Sequence, residues 1–175
     1  MKSVLVFASA LALVTATARV AVAQNPTDAE IAAIVVTANQ VDIDAGKLAQ
    51  SKSTNKEIRG FAERMVVDHT GVNKTATELV TKLKVTPQEN ATSRGLKEGG
   101  EKNVTTLKAL QGAAFDNAYI EHEFAYHQQV LDAVDKVLIP SAANAELKAL
   151  LVKVRPAFVA HLEHAKQVAA SIAKS

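Results

Sequence analysis

Four long stripes of apolar residues recur at steps of three and four along this chain, and three of them carry a histidine near the middle. Such spacing puts one face of a helix against a core and excludes the period-two alternation of a half-buried strand. The first stripe runs from about Thr27 to Gln50 through Ile31, Ile34, Val35, Ala38, Val41, Ala45 and Leu48, with Pro26 and Thr27 as a start signal. Gly46 is its weak point, costing about 1 kcal/mol relative to Ala. The second begins at Ser53 or Thr54, where Glu57 completes a Thr54 capping box, and stops before Pro87. The third spans about 114–139 and is ended by Pro140; the fourth spans about 144–173. Pro156 falls inside the fourth, where the stripe keeps its phase on both sides, so a kink is expected rather than a stop.

Aromatics are only 4% of the chain and Trp is absent, which also favours packed helices over a β-sandwich. Between the second and third stripes, residues 86–112 hold Gly95, Gly99 and Gly100, yet Leu96, Val104, Leu107 and Leu110 still recur. This stretch reads as a short, weak helix inside a long crossover, broken by Gly112. A short link, one long crossover and another short link define an all-α, ferritin-like up-down four-helix bundle whose crossover carries a short extra helix.

The first 23 residues have the layout of a secretory signal peptide: Lys2, an apolar run from Val4 to Val14, and Ala21-Val22-Ala23 as a cleavage site. The expected protein is therefore a 24–175 domain, secreted to the periplasm after cleavage behind Ala23. No later stretch is a transmembrane segment. Lys2 and Arg19 account for the whole formal charge of +2, leaving 18 basic and 18 acidic residues. A near-neutral chain offers no electrostatic footprint for nucleic acid. With no Cys, disulfides, iron–sulfur clusters and thiol catalysis are excluded.

His69, His127 and His161 each sit where every stripe neighbour is apolar, near the midpoint of its helix. In an up-down bundle those midpoints share one level, so three imidazoles can meet in the interior. A buried imidazole must satisfy both nitrogens, and a metal with a supporting acceptor does so. His164, three residues after His161, extends that face; His122 points elsewhere. Glu123 lies one turn before His127, Asp68 adjoins His69, and of Asp42 and Asp44, two apart, at most one can be a ligand. Two or three imidazoles with a carboxylate suit Zn, Cu, Fe or Mn. The competing reading is a neutral His–carboxylate network in a structural or interaction module of the envelope, with an exposed apolar patch as its partner surface. A redox enzyme is a third, and needs an open coordination position. No nucleophile elbow, phosphate loop or H-E-x-x-H occurs, so an enzyme is the weaker expectation. Tyr119 and Tyr126 read as packing residues, and the Asn-x-Thr triplets at Asn73, Asn90 and Asn103 as chance.

Gly46-Lys47-Leu48-Ala49, Phe61-Ala62-Glu63-Arg64-Met65-Val66-Val67-Asp68-His69, Leu110 to Asp116 with Tyr119, and His161-Leu162-Glu163 resemble the secreted bacterial domain-of-unknown-function family 4142. The resemblance covers about Asp28 to Ala170 and implies an exported ferritin-like four-helix protein, often described as outer-membrane, with Asp68, His69, His127 and His161 at motif positions. The family tends to place Asp before the third-helix His, where this chain has Tyr126. Ferritin di-iron centres use Glu-x-x-His from two helices. This chain has no Glu-x-x-His, so no di-iron signature accompanies the fold.

Overall fold

A computed structural model describes residues 25–174; the expected signal peptide lies outside them. The described chain forms helices α1 (Asp28–Lys52), α2 (Lys56–Leu83), α3 (Ala91–Ala109), α4 (Gly112–Ala133), α5 (Ile139–Ser141) and α6 (Ala145–Ile172), with no strand. α4 runs through a π-helical turn, Val134–Leu138, directly into α5, making one rod. No described helix is long and apolar enough to cross a membrane.

Capping chemistry fixes the rod ends. Thr27 accepts from the Glu30 amide while Glu30 reaches back to the Thr27 amide, closing a capping box at the start of α1. At α2 the cap is Asn55 rather than Thr54: its side chain accepts from the amides of Glu57 and Ile58. Asn is among the strongest N-cap residues, and it takes the position from the threonine beside it. The Asp28 carboxylate accepts from the amides of Ala143 and Asn144 at 2.9 Å each, tying the start of α1 to the start of α6.

Pro140 does not end its helix at once; Ile139 and Ser141 flank it in helical conformation. The amide of Ile139 reaches the Val134 carbonyl, a wider π-type bond one residue before the proline. That widening gives the pyrrolidine ring room against the carbonyl four residues back, where a regular turn would clash. Pro156 is carried inside α6, which continues to Ile172.

The crossover helix is longer than its glycines suggest. α3 spans 19 residues. It lies along α1: Gln88 donates to the Ala29 carbonyl near its start, and Lys52 donates to the carbonyls of Leu107 and Lys108 at its end. Two of the weak helix formers are there for steric reasons. A Cβ on Gly100 would lie 2.6 Å from Cγ2 of Val41, and one on Gly46 would lie 2.9 Å from Cγ2 of Val66. These are the close approaches of α1 to α3 and to α2. Gly112 sits at φ +52°, which a side chain rarely adopts, where α4 begins.

α1, α2, α4 and α6 enclose the core, with α3 packed on α1. That core is two apolar clusters. One gathers Ile31, Leu131, Val134, Leu147, Leu151 and Phe158; the other Ile58, Phe61, Met65, Phe115, Tyr119 and Ala165. The histidines lie at the level between them.

Candidate metal centre

His69 comes from α2, His127 from α4 and His161 from α6, at 2%, 1% and 0% exposure. Their ring centroids are 5.6, 5.2 and 5.3 Å apart, and one nitrogen of each lies within 4.8 Å of the other two. Asp42 from α1 and Glu123 from α4 complete the layer, both buried, and with His127 they form a second set of equally close donor atoms.

The hydrogen bonds determine where each ring keeps its proton. Asn39 donates from Nδ2 to the Val35 carbonyl at 2.8 Å, so its Oδ1 faces Nδ1 of His69 at 2.6 Å. A carboxamide oxygen only accepts, and His69 must therefore carry its hydrogen on Nδ1. His127 donates from Nδ1 to the Glu123 carbonyl at 2.9 Å. His161 donates from Nε2 to Oδ2 of Asp68 at 2.8 Å. The opposite nitrogens, Nε2 of His69, Nε2 of His127 and Nδ1 of His161, have no hydrogen-bond partner. Each is a buried lone pair. Oδ2 of Asp42 lies 3.4 Å from the first and 4.0 Å from the second. The carboxyl of Glu123 faces that of Asp42 in the same buried layer.

Burial controls the protonation here. It pushes the imidazoles of His69 and His161 down, His161 from the ordinary 6.5 to about 4, against the pull of their carboxylate neighbours. Burial and the charge of Asp42 push Glu123 well above the usual carboxylate range. Burial opposes ionisation of Asp68 too, but its bonds to His161 and Arg64 prevail and hold it below the ordinary value. The neutral rings of His69 and His161, each with a bare lone pair, are in the protonation state a metal ion requires of its ligands.

The donor set fits a transition metal. Nitrogens bound to one zinc at about 2.0 Å stand about 3.3 Å apart, so separations of up to 4.8 Å close with small side-chain movements. Each imidazole already has its outer acceptor, a side-chain oxygen for His69 and His161 and a carbonyl for His127. Asp42 and Glu123 together carry at most two negative charges, which one divalent ion balances and two would overrun.

The other expected site residues are placed differently. Asp68 reaches the cluster only through His161, and its own carboxylate is 37% exposed. Asp44 is exposed and bonded to Gln40, while its neighbour two residues back, Asp42, faces the rings. His164 packs on Phe61 at 5.2 Å, outside the layer, and His122 stacks on Tyr126 at 5.7 Å. Tyr126, where the family tends to have Asp, donates to the Ala38 carbonyl at 3.0 Å and so ties α4 to α1. Asn39 is the member the sequence reading passed over. A polar side chain between Val35 and Val41 on the apolar face was its only signal.

The family described as Domain of unknown function (DUF4142) matches residues 13–168 of the chain. No curated protein matches it. Among solved structures, the one described as CopM in the Cu(II)-bound form aligns with a TM-score of 0.66 at 17% identity, over 85% of this chain and 99% of that chain. At that identity the likeness is one of fold.

Proposed function

This chain belongs to the DUF4142 family, and on that footing we propose that it is an exported metal-handling protein that holds one transition-metal ion through His69, His127 and His161, with Asp42 as fourth ligand. One observation carries the reading: three buried imidazoles each have one nitrogen held by an outer acceptor and the other left bare. Buried polar atoms in folded proteins are nearly always paired, and a lone pair needs a donor or a cation. A cation between the rings satisfies all three at once and neutralises Asp42. A metal-free His–carboxylate network needs a separate donor for each of the three lone pairs.

Among divalent ions, Cu(II) and Zn(II) suit three imidazoles and a carboxylate best, and Cu(II) binds most tightly in the first-row order. The fold shared with a protein captured in a Cu(II)-bound form supports copper as the first ion to test. The role that fits is sequestration or transfer of the ion in the cell envelope, as protection against metal stress, with the ion as cargo. The apolar clusters on either side of the layer suit retention of an ion more than rapid turnover.

Metal content and Cu(II) or Zn(II) titration of protein purified without a His-tag test this. One equivalent is expected, with a raised Tm that His69→Ala abolishes. Metal-free protein whose Tm ignores both ions would refute it and leave the structural network in its place.

A further inference from the structure

Beside the histidine layer, among α1, α2, α3, α4 and α6, the structure holds a cavity of about 230 Å³. Its inner wall is Asn39, Asp42 and His69; the rest is overwhelmingly apolar, including Leu96, Val130, Val134 and Leu151. The walls are fixed by features that do not depend on what fills it. α3 is held against α1 by the contact of Gly100 with Val41 and by the bond of the Gln88 amide to the Ala29 carbonyl near its start. The opposite wall includes the π-helical turn, a rare geometry that often marks functional sites. Closing the space would require moving an anchored helix or regularising that turn.

We propose that this cavity is a binding site for a neutral, apolar molecule of one or two fused aromatic rings. Size sets the upper limit: an apolar cavity of about 150 Å³ accommodates benzene, so this one has room for a second ring. Charge sets the class. No Lys or Arg lines the cavity and Asp42 does, so an anion would be buried unpaired. Shape favours aromatics, because Phe158, stacked on His69 at 5.4 Å and 6° between planes, and Tyr126 both line it. The cavity borders the proposed metal centre through Asp42 and His69 but does not need the ion, so it can be tested on chelator-treated protein.

Indole is the probe. The chain has no Trp, so indole emission reports ligand alone. Indole is expected to shift its emission to the blue on binding and to raise Tm by roughly 2–4 °C at saturation, whereas benzoate does neither. Ala133→Leu fills the cavity from α4 and Leu96→Phe fills it from α3; each is expected to abolish both effects while keeping the fold. No response in the parent protein, or an equal response in whichever filled variant folds, would overturn the proposal. A benzoate response equal to that of indole would overturn the assigned ligand class.

Discussion

His161 is fully sealed from solvent, yet its Nε2 proton is held by a carboxylate at the surface, Oδ2 of Asp68, at 2.8 Å. The bond crosses from α6 to α2 and turns the bare Nδ1 of the ring inward. Asp68 is thus a positioning residue. Asp68→Ala is expected to weaken Cu(II) or Zn(II) binding about 10- to 100-fold, with Asp68→Asn restoring part of it because an amide oxygen still accepts. The apoprotein should keep its Tm within a few degrees, since the carboxylate is partly exposed. Titration of both variants alongside thermal melts separates positioning from general loss of structure.

Asp42 and Glu123 share the buried layer. Glu123 is pushed toward its neutral form by burial and by Asp42. Glu123→Gln is therefore close to an isostere at neutral pH and should change stability by less than about 1 kcal/mol. Asp42→Asn removes the charge facing His69 and His127 and should cost most of the metal affinity. Urea denaturation and metal titration of the two variants distinguish these outcomes.

Gly100 is a contact residue on the crossover. Gly100→Ala would place a methyl 2.6 Å from Val41, which a packed helix pair cannot absorb without shifting. A loss of about 1–3 kcal/mol is expected, and Val41→Ala in the same chain should recover much of it. Measured additivity of the two changes would argue against the close approach.

Acid should destabilise the apoprotein in a defined window. The folded-state value of His161, about 4, lies below its ordinary 6.5, so the folded protein binds fewer protons than the unfolded chain between them. The contribution is present above pH 6.5 and is lost as pH falls toward 4. For His161 alone it is on the order of 3 kcal/mol, and His69 shifts in the same direction. His161→Gln should flatten the curve of stability against pH in this window.

The helices were legible because the apolar period is local: any residue stripe at steps of three and four needs a buried face, whatever covers it. The level of His69, His127 and His161 followed from rod length alone. Gly46, Gly95, Gly99 and Gly100 misled for the same reason, since propensity counts a missing side chain as a cost. Only the neighbouring helix reveals that Gly46 and Gly100 are where a Cβ does not fit. Pro140 reads as a stop and the rod does end at Ser141, one residue beyond it; the π turn that accommodates the ring shows only in the structure.

By itself, then, the sequence determined which faces are apolar, how long the rods are and that three imidazoles occupy buried positions at one height. Spacing along one helix carries that information. The tertiary structure decided that Asp42 and not Asp44 faces the rings, that Asn39 and Asp68 set two of the tautomers, and that His164 stands apart. Those are contacts between residues far apart in the chain, or choices of rotation about a helix axis, and only the packing of whole helices fixes them.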